Sequence, residues 1–179
     1  MTKMTSTLYT IGFTKKTAEQ FFGLLEQAGV RRVIDVRENR GGQLSGFAKH
    51  PDLAYFLDRL LGIGYVHEPL LAPSQEIRDA YRATKNWEQY EASFQELMQA
   101  RNALESIVPE QFEGNVALLC SEAEPDKCHR RLVAEMLARA WNGEGHSVEV
   151  KHLVIPKPAS RRTRRHGSPC QKSSSPILR

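Results

Sequence analysis

The chain has only three cysteines, Cys120, Cys128 and Cys170, too few and too unevenly spaced for a disulfide framework. They are read as free thiols, metal ligands or catalytic groups. No apolar run approaches the roughly 20 residues needed to span a bilayer, so no membrane partner is expected. The opening segment, MTKMTSTLYTIGF, lacks the apolar region and small-residue cleavage site of a secretory signal, which makes the cytoplasm the expected location. No internal repeat is present. Enzyme signatures are missing too. A lone Gly12 stands where a dinucleotide loop would need G-x-G-x-x-G, and no G-x-S-x-G surrounds Ser121, which argues against an esterase elbow. There is also no phosphatase-like Cys-x5-Arg loop, Arg130 lying too far from Cys120 and too near Cys128.

The net charge of +4 is unevenly spread. Seven of the 25 Lys and Arg residues (Lys157, Arg161, Arg162, Arg164, Arg165, Lys172, Arg179) and none of the 21 acids lie beyond residue 155. The 18 bases left against 21 acids give residues 1–155 a net charge of −3. The basic character belongs to the tail, and the pI alone is no argument for nucleic-acid binding by the body.

What is present is an alternation of strand and helix patterns. TLYTIG (7–12), RRVIDVR (31–37), IGYVHE, NVALLC (115–120) and SVEVKHLV read as strands, the apolar run of the fourth matching burial on both faces. A helix is expected from Thr17, with Thr17 and Gln20 as a capping box and Gly29 as its stop. A second starts at His50-Pro51 with Leu53, Phe56, Leu57, Leu60 and Leu61 on one face and Gly62 past its end. Residues 74–106 read as helix with a break near Lys85-Asn86. A helix from Lys127 to Trp141 buries Leu132, Val133, Met136, Leu137 and Ala140. The expected fold is a single doubly wound α/β domain over residues 1–155, a mainly parallel sheet of about five strands with helices on both faces. Residues 156–179, rich in Ser, Pro and Arg, are expected to form a disordered basic tail.

In such sheets ligands sit outside the carboxyl ends of the strands. Those ends carry Gly12 and Thr14, then Asp35 and Arg37, then Cys120 and Glu122, while the helix at Cys128-His129-Arg130 starts from the same edge. YTIGFT, IDVRENR, GFAKHPDL, GIGYVHEPLLAP and ALLCSEAEPDKCHRRLVAEML, in this order, together resemble the family of domain-of-unknown-function 488 proteins over about residues 7–154. The resemblance implies a compact α/β domain with a site around the Asp35-Arg37 and Cys120-to-Arg130 segments, and it implies no particular reaction.

Each candidate has a functional and a plainer reading. With Asp126 as N-cap, Cys128 falls in the first helical turn, where free N–H groups, the helix dipole, His129, Arg130 and Arg131 would favour a thiolate nucleophile. Alternatively it is a small apolar residue docking the helix. Cys120, ending a buried strand, reads as inert core. Cys120, Cys128 and His129 could reach one ion, but the spacing is looser than C-x2-C and no fourth ligand is evident, so no metal is expected. Asp35 and Arg37 project to the same side of their strand. Either they pair structurally, with Glu122 and Arg130 as further partners, or Arg37, Arg130 and the Thr14 hydroxyl hold an anion while Asp35, Glu122, Cys128 and His129 do the chemistry. His67 reads as structural, and SRRTRR (160–165) as either a phosphate-contacting arm or a solvated extension. The leading expectation is an enzyme acting on a nucleotide or nucleic-acid group. A non-catalytic nucleotide or nucleic-acid binding module and a thiol-dependent redox or sulfur-transfer enzyme are the alternatives. The cofactor is left unspecified.

Overall fold

The computed structural model describes residues 3, 5–42 and 46–156. The tail beyond Pro156, with SRRTRR, and residues 43–45 of the ENRGGQLSG loop lie outside the described residues. Five strands, β1 (Thr5–Gly12), β2 (Arg32–Asp35), β3 (Gly64–His67), β4 (Gly114–Cys120) and β5 (Ser147–Leu153), form one sheet in the order β3-β2-β4-β1-β5. Every pairing is parallel. The helices are α1 (Ala18–Gln27), α2 (Asp52–Phe56), α3 (Gln75–Thr84), α4 (Trp87–Ala100), α5 (Ala103–Ser106) and α6 (His129–Gly143).

Alternation along β4 explains the two-sided architecture. Val116 and Leu118 enter a core shared with Phe94 and Met98 of α4 and Leu132, Val133 and Leu137 of α6. Ala117 and Leu119 enter the opposite core with Phe21 and Leu25 of α1 and Leu53 of α2. All four strand residues are fully buried. Side chains of successive residues point to opposite faces of a strand, so a strand covered on both sides must be apolar throughout.

Local signals act where expected. Thr17 caps α1 through its hydroxyl, which accepts from the Gln20 N–H at 3.2 Å, and the Gln20 side chain accepts from the Thr17 N–H at 2.9 Å. The break between α3 and α4 falls at Lys85, in the left-handed region with φ of 56°, and at Asn86, whose side chain caps α4 by accepting from Gln89 N–H at 3.1 Å. Two expectations are corrected. The second helix runs only from Asp52 to Phe56 and then widens into a π-turn over Leu57–Leu61. That widening takes Leu60 off the apolar face and leaves it 60% exposed. Further on, Cys128, not Asp126, is the N-cap of α6: its backbone is extended (φ −141°, ψ 135°), and the helix begins at His129.

Candidate functional site

At the carboxyl edge of the sheet, β2 ends in a buried ion pair. Asp35 is fully buried and accepts from Arg37 Nε (2.7 Å), Arg37 Nη2 (2.6 Å), the Arg37 backbone N–H (3.1 Å) and the Tyr65 hydroxyl (2.7 Å). Arg37 Nη2 also donates to the Ala48 carbonyl, and the guanidinium lies over the Phe13 ring, 5.1 Å from its centroid. Burial, with the Asp35 carboxylate beside it, pushes the Tyr65 hydroxyl up to about 12. Burial alone would weaken the charged form of Arg37, but its bonds to Asp35 outweigh that and raise its pKa. His67 is engaged internally as well, its Nε2 donating to the Arg37 carbonyl at 2.8 Å.

The crossover from β4 to α6 supplies a second cluster. The Cys120 thiol lies 2.6 Å from Glu122 Oε2 and 3.6 Å from His129 Nδ1, and the Cys128 thiol lies 3.2 Å from the same Glu122 oxygen. His129 Nε2 is 3.0 Å from the Val36 carbonyl, linking this cluster to the end of β2. Burial pushes the Cys128 thiol well above its ordinary value, and its closeness to Cys120 adds to this. In the absence of a bound ion, burial thus works against the expected thiolate. At the N-cap and 2% exposed, Cys128 is drawn down by His129, but desolvation and Cys120 outweigh that contact. Glu122 behaves oppositely. Partial desolvation in the cleft raises it, but the Cys120 thiol, His129, its own backbone N–H and the Cys128 thiol bring it below the ordinary carboxylate value. For His129, burial opposes charge, while Cys128, Glu122 and the Val36 carbonyl together raise the pKa.

Arg130 is fully buried. Its Nη1 donates to the Glu122 carbonyl (2.7 Å) and to Cys128 Sγ (3.1 Å), and its Nη2 to the Ala123 carbonyl (3.3 Å). It holds the crossover from beneath and does not line the cleft above it. Thr14 is tied by its backbone N–H to the Ser121 carbonyl at 3.1 Å and does not line the cleft either. Arg37 and Arg130 thus do not act as a pair of open anion-binding forks.

That cleft has a volume of about 750 Å³. Cys120, Ser121, Glu122, Cys128 and His129 form its floor, with Arg37 beside them. Its opposite wall comes from outside the strand ends: Arg78, Arg82 and Lys85 around the end of α3, and Tyr81, Trp87 and Tyr90 from α3 and α4. Trp87 and Tyr90 are stacked, with centroids 4.7 Å apart and planes at 16°. Arg78 pairs with Glu38 across the cleft entrance and Arg82 with Asp79 at 2.9 Å, while Lys127 adds a cation from the crossover. The available signal was the spacing of Arg78, Arg82 and Lys85 on one helical face, interleaved with Tyr81 and followed by Trp87 and Tyr90.

The family profile described as "Domain of unknown function DUF488" matches residues 17–137, well over half of the chain. The chain belongs to the DUF488 family. Comparison with curated proteins and with solved structures gave no significant match. The matched segment of this DUF488 protein contains β2, the α3–α4 wall and the whole Cys120-to-Arg130 crossover, and it ends within α6. Among the described residues no helix is long and apolar enough to cross a membrane.

Proposed function

We propose that this DUF488 protein is an enzyme acting on a nucleotide or nucleic-acid group bound in the cleft at the strand carboxyl ends. The observation that carries the reading is the juxtaposition, in one cavity, of an aromatic wall, a cationic rim and a floor of thiols, imidazole and carboxylate. An aromatic wall suits a base, the cations suit phosphate, and the floor supplies the groups that react. Arg78, Arg82, Lys85 and Lys127 carry the phosphate-binding role in this reading. Asp35, Arg37 and Arg130 hold the site in shape, and Glu122 and His129 face the bound group. A non-catalytic binding module is the second reading, favoured by the internal engagement of Asp35, Arg37 and Arg130. Thiol-dependent chemistry is disfavoured by the burial of both thiols, Cys120 and Cys128 each being 2% exposed.

The test is binding of labelled nucleotides and short single-stranded oligonucleotides across a salt series. Arg82→Gln with Lys85→Gln should flatten the slope of log affinity against log salt by about 0.7 for each phosphate no longer neutralised. Arg82 is 67% exposed in its side chain, so the change should leave folding intact. Absence of binding, or an unchanged slope, sinks the reading. If binding is present, loss of turnover in Glu122→Gln with binding retained separates an enzyme from a module.

A further inference from the structure

We propose that Cys120, Cys128, His129 and Glu122 form a binding site for a divalent metal ion of the zinc class at the floor of the cleft. One ligating atom from each residue, two thiol sulfurs, an imidazole nitrogen and a carboxylate oxygen, lies within 4.8 Å of all the others. Zinc bonded at about 2.0–2.3 Å in a tetrahedron sets its ligands about 3.3–3.8 Å apart. The Cys120–His129 separation of 3.6 Å already has that length, and the Cys128–Glu122 separation of 3.2 Å is close to it. The 2.6 Å between Cys120 and Glu122 would open by about 1 Å on ligation. Glu122 is the fourth ligand that spacing alone did not reveal.

Two features around the cluster fit an ion independently of these distances. The Val36 carbonyl can only accept, so the proton of a neutral His129 sits on Nε2, and the Nδ1 lone pair is turned toward the sulfurs. A backbone acceptor on the outer nitrogen is the usual support of a metal-bound histidine. Arg130 then answers the charge. Two thiolates and a carboxylate bring three negative charges to an ion of two, and the buried guanidinium, 3.1 Å from Cys128 Sγ, offsets the remaining one. Among the described residues no carboxylate pairs with Arg130, whose Nη donors go to two carbonyls and that sulfur and whose Nε has no hydrogen-bond partner. A fully buried guanidinium needs a neighbouring anion, and a metal-bound thiolate is one. On binding, each thiol releases its proton to solvent as its sulfur bonds to the ion, with no change of oxidation state.

Thiolate and imidazole donors select zinc over calcium or magnesium. Three of the donors are buried, and Glu122 alone is exposed toward the cleft. Its position is the one that catalytic zinc sites keep for a replaceable ligand. The site is inferred from its donors alone and stands or falls without any nucleotide.

The test is a titration of the chelator-stripped full-length protein with cobalt(II), following thiolate-to-cobalt charge-transfer absorption, with native mass spectrometry for stoichiometry. One equivalent should saturate the band, and zinc should abolish it. Glu122→Gln, at an exposed position, should keep the band while weakening affinity by about tenfold or more. Cys120→Ser with Cys128→Ser should lose it. A folded wild-type protein that develops no such band overturns the proposal. So does a band that survives in the folded double variant and disappears with Cys170→Ser, which would put the metal on the tail.

Discussion

Replacing Asp35 by Asn should chiefly unfold this protein, not disable a binding group. Asp35 is fully buried and Arg37 is 6% exposed, so neither charge is screened by water. The substitution removes the anion and leaves the guanidinium in place, and breaking a buried pair in this way costs about 3–5 kcal/mol. The Tyr65 hydroxyl, 2.7 Å from Asp35 Oδ2, also loses a charged acceptor. Against a total stability of about 5–15 kcal/mol for an ordinary domain, a loss near 4 kcal/mol is large. It corresponds to a fall in Tm of about 8–16 °C for a domain of this size. Urea denaturation followed by circular dichroism measures it, and a double-mutant cycle separates the two contributions. Arg37→Met alone strands the Asp35 carboxylate, whereas Asp35→Asn with Arg37→Met removes both charges and should recover part of the loss. If Asp35→Asn unfolds within about 1 kcal/mol of the wild type while ligand binding disappears, the pair belongs to the working site and the structural reading of Asp35 and Arg37 is refuted.

Three further outcomes are expected. Because burial holds the Cys128 thiol above its ordinary value and Cys120 is 2% exposed, iodoacetamide should leave both unmodified in the native protein near neutral pH and label them after unfolding; peptide mapping distinguishes them from Cys170, and fast native labelling of Cys128 would contradict its placement. The Glu122 carboxyl is held below its ordinary 4.5, so its contribution to stability is present above that value and is lost as pH falls through the lowered one; the gap in urea midpoint between wild type and Glu122→Gln should therefore narrow in acid, and a gap that widens would reverse the sign. A Cβ at Gly12 would stand 1.7 Å from the Glu122 carbonyl oxygen, so Gly12→Ala must displace the crossover and should cost about 1–3 kcal/mol in urea unfolding; an unperturbed variant would show that the crossover does not press on β1 there.

The strands were legible because burial on both faces writes itself as an uninterrupted apolar run, NVALLC above all, and their parallel arrangement followed from the helices between them. Glu122, Cys128 and His129 were legible as candidates because one short crossover carries all three, whereas Cys120, at the end of an apolar run, read as inert core and joins them only through the distances of the fold. Two further things were not legible. Arg130 reads in sequence as a cation near a helix N-terminus, free to meet a ligand, but whether its long side chain turns outward or folds beneath the crossover depends on where the Glu122 and Ala123 carbonyls point. The α3–α4 wall was hidden for a different reason. Its contribution requires residues 78–90 to fold over the ends of β2 and β4. That placement comes from long-range packing of Tyr90, Phe94 and Met98 against the α6 side of the sheet, and from the Arg131–Glu91 pair at 2.6 Å, none of which has a local signature.

The arrangement of these interactions bears on which residues do chemistry. Every charge on the β2 side of the cleft floor is spent within the protein: Asp35 on Arg37 and Tyr65, and Arg37 on Asp35 and the Ala48 carbonyl. Arg130 likewise fixes the Glu122 and Ala123 carbonyls, the first of them over Gly12, where a side chain would collide. These are the bonds of a scaffold, and they hold the crossover still from two sides. What the scaffold leaves facing the cleft is the Glu122 carboxylate with the edges of Cys120, Cys128 and His129, below a wall whose cations include the exposed Arg82 and Lys85. Binding and reacting groups work best when their geometry is set before the ligand arrives. Substitutions therefore divide by direction. Those beneath the crossover, at Gly12, Asp35 or Arg130, should lower stability and take function with it, whereas those above it, at Arg82, Lys85 or Glu122, should change ligand or metal affinity in a protein that remains folded.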